Sequence, residues 1–78
     1  MTAKEFFESL IGLDISEARK RLGFWWSGEY ANLSLDGSAY YGFYRSAGGR
    51  VELHTENNTV VSEHHNAIAE IYQKNDLK

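Results

Sequence analysis

From Ala31 to Leu53 the apolar residues recur at every second position, and the run is interrupted at Asp36-Gly37 and Gly48-Gly49; Asn57-Asn58 follows it. Successive side chains of a strand point to opposite faces, so this period predicts strands with one apolar face each. Ala31, Leu33 and Leu35 share a face of the first strand, Ala39, Tyr41 and Phe43 of the second, and Val51 and Leu53 of the third. A two-residue turn at Asp36-Gly37 would set these apolar faces on opposite sides of the sheet. A three-residue loop, Asp36-Gly37-Ser38, keeps them together and pairs Leu35 with Ala39, Leu33 with Tyr41 and Ala31 with Phe43. The same reasoning gives a loop of Ala47-Gly48-Gly49, with Phe43 beside Leu53. Asn57-Asn58 reads as a two-residue hairpin turn, because Asn tolerates positive φ. Thr59 to Val61 then forms a short fourth strand.

Helical signals flank this region. "TAKE" at Thr2–Glu5 is a capping box, followed by Phe6, Phe7, Leu10 and Ile11 at helical spacing and by Gly12 as a stop. "DISE" repeats the signal, with Asp14 as N-cap, Glu17 at N3, and Ile15, Ala18 and Leu22 on the buried side. Ser62 is the expected cap of a last helix whose apolar stripe is Ile68, Ile71 and Tyr72 with His64 or His65. The tail "KNDLK" is expected to fray. The expected fold is a single α+β domain spanning residues 1–78. Two short N-terminal helices precede an antiparallel three- to four-stranded meander and a C-terminal helix, all helices on one sheet face.

The chain has 78 residues and no cysteine, which excludes disulfides and thiolate sites. No apolar run approaches the ~18 residues that span a membrane. The acid-bearing start "MTAKEFFESLIG" is unlike a signal peptide, so a soluble, cytoplasmic chain without membrane contact is expected. The net charge is −3. Arg19, Lys20 and Arg21 are consecutive and splay around a helix, which does not make the basic stripe of a duplex binder.

The register also sets what faces away from the helices. It predicts rows of Tyr30, Tyr44 and Glu52, then Asn32, Gly42 and His54, then Ser34, Tyr40 and Glu56. Trp25 and Trp26 lie just before the sheet, and one of them must point outward if the other points in. Aromatic side chains bury large area at low entropic cost and still offer a hydrogen bond, which suits protein contact. The expected contact residues are Tyr30, Tyr40, Tyr44, Glu52, His54 and Glu56, with Trp25 or Trp26 at the edge. The plainer reading is that the tyrosines are cross-strand sheet formers. Stacking of single-stranded bases needs cations along the backbone path, and the acids beside these tyrosines disfavour nucleic acid.

Little points to catalysis, a metal or a cofactor. His64-His65 are adjacent, so on a helix they diverge by about 100° and cannot easily chelate together. A Ser62–His65 nucleophile–base pair is formally possible but unsupported, since a chain of 78 residues offers little room for a pocket. "SAGG" lacks the lysine and following helix of a phosphate loop. The expectation is a non-enzymatic protein with no metal and no cofactor.

"LIGLDISEARKRL" resembles the opening of small inhibitors of the potato inhibitor I type, through Leu10, Ile11, Gly12, Asp14, Ile15, Glu17, Ala18 and Arg19. "YRSAGGRVEL" is similar to that family's Tyr-Arg and Arg-Val segment, at Tyr44, Arg45, Arg50 and Val51. The resemblance implies a serine-protease inhibitor whose exposed loop, around Tyr41, Gly42 and Phe43, enters the protease while arginines brace it. Tyr41 and Phe43 stand where the family carries Thr and an acidic residue. "GLDISEARKRLG" is equally similar to the outer-membrane assembly lipoprotein and β-lactamase-inhibitor-like domains, which pair two helices with a meander. The expected function is therefore a non-catalytic binding module. It would inhibit or modulate a larger protein with a basic surface, as immunity proteins, antitoxins and phage or mobile-element inhibitors do. The alternatives are a protease inhibitor and a single-strand binder. The exposed aromatic face would equally serve a homodimer.

Overall fold

A computed structural model describes residues 2–22 and 26–70. The elements are α1 (Ala3–Glu8), α2 (Ile15–Leu22), β1 (Gly28–Leu33), β2 (Ser38–Tyr44), β3 (Arg50–Glu56), β4 (Thr59–His65) and α3 (Ala67–Glu70). The capping box of α1 is complete: Glu5 N–H donates to Thr2 Oγ1 at 3.1 Å, and Thr2 N–H donates to Glu5 Oε1 at 2.8 Å. The Thr2 amide first, and then the Thr2 hydroxyl, hold the Glu5 carboxyl below its usual range. Asp14 caps α2 by accepting from Ser16 N–H at 2.9 Å, while the Glu17 carboxylate accepts from Arg21 Nε at 3.2 Å one turn on.

The strands form one antiparallel meander in the order β1-β2-β3-β4. Two hairpins differ from the expected register by two residues. Leu33 pairs with Ala39 and Ala31 with Tyr41; Phe43 pairs with Val51. The loops are three residues long as expected, but each begins one residue earlier, at Leu35-Asp36-Gly37 and Ser46-Ala47-Gly48. Such loops place their left-handed residue last. Gly37 (φ +90°) and Gly48 (φ +105°) hold that place. A shift of two keeps every side chain on its expected face, so only the cross-strand neighbours change. Asn57 (φ +52°) and Asn58 (φ +68°) make the expected two-residue turn.

The last third departs further. β4 runs on to His65, so Ser62, His64 and His65 are strand residues and not the cap and stripe of a helix. Asn66 supplies the cap: its Oδ1 accepts from Ala69 N–H at 3.0 Å and from Arg50 N–H at 3.1 Å, tying α3 to the start of β3. Ile68 is exposed and Ala69 is buried. Ile71 and Tyr72 lie outside the described residues. A bulge opposite His54 and Thr55 skips Val61, which turns Glu63 and His65 towards the helices.

The core lies between the helices and β2–β4. Phe7, Leu10, Leu22, Phe43, Val51, Leu53 and Val60 are its largest fully buried apolar members. Leu33 and Leu35, expected in that core, are 76% exposed and fully exposed, and Ala31 is exposed as well. Ala31 and Leu33 occupy the helical face and Leu35 the hairpin loop, but the described helices lie mainly over β3 and β4, with α2 reaching β1 through the Arg19–Glu29 ion pair. Under the helices His65 Nδ1 meets Glu63 Oε2 at 2.8 Å and His65 Nε2 meets Glu70 Oε2 at 3.4 Å. The Phe7 ring packs 5.1 Å from the imidazole. Among the described residues no helix is long and apolar enough to cross a membrane.

Candidate partner-binding face

The face opposite the helices carries the tyrosines. Its rows are Gly28, Tyr44 and Arg50; then Tyr30, Gly42, Glu52 and His64; then Asn32, Tyr40, His54 and Ser62. Tyr30, Tyr40 and Tyr44 are 37%, 42% and 44% exposed. The shifted register gives each ring a defined seat. A Cβ added at Gly42 would stand 2.1 Å from Tyr30 Cζ, and one added at Gly28 would stand 2.5 Å from Tyr44 Cζ. The rings therefore rest on glycine backbone across the strand gap, an arrangement that covers glycine and pins the ring together. Tyr40 stacks on His54 with centroids 4.5 Å apart and planes 11° apart. Tyr30 Oη donates to Glu52 Oε2 at 3.0 Å. Burial first, and then this bond, push the Tyr30 phenol above its usual value.

The charge on this face is mixed. Arg50 replaces Glu52 as the neighbour of Tyr44, and His64 stands beside Glu52. A cleft forms between Tyr30, Arg50, Glu52, His64 and Asn66. Glu56 and Asp36 lie at the far end with His54, beside the first hairpin loop. Asp36 is fixed by accepting from Ser38 N–H at 3.0 Å and from Ser38 Oγ at 2.7 Å; these bonds, the hydroxyl's first, lower its carboxyl pKa. The face thus runs from a cationic end at Arg50 to an anionic end at Glu56.

The structure gathers Tyr30, Tyr40, Tyr44, Glu52, His54 and Glu56 on one surface. Trp26 does not join them. It is buried against Phe7 and Phe43, with ring centroids 6.3 Å from each. Trp25 lies outside the described residues. Sequence reasoning missed Arg50, His64 and Asn66. The β-branched run Thr59-Val60-Val61 ahead of His64 was the available signal that this segment is strand.

Ser62 shares the tyrosine face, whereas His65 points to the helices, so the two do not meet as nucleophile and base. Among the described residues no cluster of His, Asp and Glu is arranged to hold a metal ion. Residues 41–43, which the inhibitor resemblance marks for insertion into a protease, lie in the middle of β2 with Gly42 and Phe43 buried. Comparison with family models, curated proteins and solved structures finds no match.

Proposed function

We propose that this protein is a non-catalytic binding module that inhibits or modulates a larger protein through its tyrosine face. The observation that supports this reading is the posture of Tyr30, Tyr40 and Tyr44. Each ring leaves more than a third of its residue in solvent although it is held in place by glycine, histidine or carboxylate. Side chains already ordered lose little rotamer freedom on binding, at about 0.5–1.5 kcal/mol saved for each. Aromatic anchors ringed by polar groups are the usual high-energy centres of protein interfaces. The partner surface presents cations towards Glu56 and Asp36 and an anion towards Arg50. Such complementarity steers encounter and weakens with salt.

The test is capture from source lysate with the wild-type chain and with Tyr40→Ala/Tyr44→Ala. The double variant is expected to lose the captured partner and to keep a cooperative thermal transition. Retained capture, or binding of short single-stranded oligonucleotides at low salt, contradicts the proposal.

A further inference from the structure

The two edges of the sheet are finished differently. Along β4 the α1–α2 connection acts as a short covering strand. Gly12 N–H donates to Val60 O at 2.7 Å, Val60 N–H to Leu13 O at 2.9 Å and Ile15 N–H to Asn58 O at 2.8 Å. Asp14 and Thr59 form an antiparallel bridge, and the bulge at Val61 distorts the same edge. Among the described residues nothing pairs with the outer edge of β1. Natural edges are blunted by lysine, proline or a bulge. "GEYANL" contains no lysine or proline, and its one charge, Glu29, is tied to Arg19.

Hydrogen bonds outside the strands tell which β1 groups are spare. Ser34 N–H donates to Ser38 O at 3.0 Å, and Arg45 N–H donates to Gly49 O at 2.9 Å. Bonded pairs alternate along an antiparallel ladder. Even-numbered residues of β1 therefore bond β2, and the N–H and C=O groups of Glu29, Ala31 and Leu33 face the open edge.

We infer that β1 is a dimerisation edge, and that a second copy of this chain adds its own β1 antiparallel about a two-fold axis at Asn32. Odd residues must pair with odd residues to use the spare groups, which allows centres at Tyr30, Ala31 or Asn32. A centre at Tyr30 sets the Glu29 carboxylate against Ala31 of the second copy. A centre at Ala31 sets the Glu29 carboxylate against Leu33 of the second copy. A centre at Asn32 sets Ala31 against Leu33 of the second copy, and symmetry repeats that apolar pair. Tyr30 then meets Ser34, and the two Asn32 amides face each other in a non-bonded pair, where side chains approach closest. The two Glu29 side chains lie at opposite ends, so no like charges meet. This self-complementarity selects a second copy as the occupant.

A single strand pair buries less than the ~800 Å² per partner of a stable interface, so the dimer is weak and reversible. Its axis is perpendicular to the sheet, which puts both tyrosine faces on one side. The dimer stands whether or not that face binds another protein.

The test is sedimentation equilibrium with amide exchange by NMR on the full chain, from micromolar to millimolar protein. The expected result is a monomer–dimer equilibrium in which the Ala31 and Leu33 amides slow about tenfold or more as dimer forms, while Tyr30 and Asn32 change little. Leu33→Lys is expected to keep the melting temperature and to weaken dimerisation about tenfold or more. The inference is overturned by a chain that stays monomeric at millimolar concentration, or by a dimer that Leu33→Lys leaves intact. It is equally overturned if the Ala31 and Leu33 amides exchange fast in the dimer, or are already slow in the dilute monomer because another part of the chain covers the edge.

Discussion

Leu33 and Leu53 are the same residue type on the same face of one sheet, yet Leu33 is 76% exposed and Leu53 is fully buried. Leu53 lies in a strand beneath the helices. Leu33 lies two strands away, near the end of the edge strand, where the described helices leave it in solvent. The alternating pattern is alike in both strands, so pattern decides the face and cover decides the burial. Among the described residues the three helices have six, eight and four residues, and they leave Leu33 of the four-stranded sheet in solvent. They roof β2 to β4, and the linker between α1 and α2 closes the β4 edge. The uncovered half, β1 with the tyrosine face, is where contact surface remains.

Substitutions at matched positions test this contrast. Leu53→Ala should cost about 2–5 kcal/mol, as a large-to-small change in a packed core does. Leu33→Ala should stay within about 0.5 kcal/mol. Urea denaturation measures both, and equal losses would break the comparison.

The polar cluster under the helices should behave like core as well. Glu63→Ala leaves His65 without its nearest carboxylate in a site where both side chains are under a tenth exposed. Losing this buried hydrogen-bond partner is expected to cost about 1–3 kcal/mol, against nearly none for Glu56→Ala on the open face.

A smaller effect sharpens the account of the tyrosines. Gly42→Ala must drive the Tyr30 ring off its seat and break the bond to Glu52, at about 1 kcal/mol. In a Tyr30→Ala background the same change should cost much less. A double-mutant cycle therefore reads a coupling of about 0.5–1 kcal/mol.

The smallest effect is in pH. The Tyr30 phenol titrates above its unfolded value of about 10, so its contribution to stability is present below that pH. It is lost as pH rises through the folded value. Alkaline titration of tyrosine absorbance should show this late step, and Tyr30→Phe should remove it.

Much of the fold was legible in the chain. The capping box at Thr2, the Asp14 cap of α2, the Asn57-Asn58 turn and the separation of the two sheet faces all follow from local chemistry, whereas α1 ends at Glu8 with Ser9 as its C-cap, short of the expected stop at Gly12. The hairpin registers were misread because either three-residue loop preserves the faces. The preference for glycine in the last loop position separates them in the first hairpin, where Ser38 would end the expected loop, but not in the second, where Gly48 and Gly49 both qualify. The extent of β4 was hidden by Ser62, a good cap residue whose side chain is needed elsewhere in no local pattern. The exposure of Leu33 and Leu35 was not legible at all, since it depends on how far short helices reach across the sheet. The tyrosines were found by parity alone, whereas Arg50 and His64 required the correct register and strand length.

The central claim is that helices cover one side of the sheet and leave the other side, with its seated tyrosines, in water. Relaxation enhancement by a soluble gadolinium chelate tests it residue by residue. The account predicts strong enhancement for the rings of Tyr30, Tyr40 and Tyr44 and the methyls of Leu33, with little for Phe43, Val51 and Leu53. Shielded Tyr40 and Tyr44 rings, or Leu33 methyls as protected as those of Leu53, would contradict it.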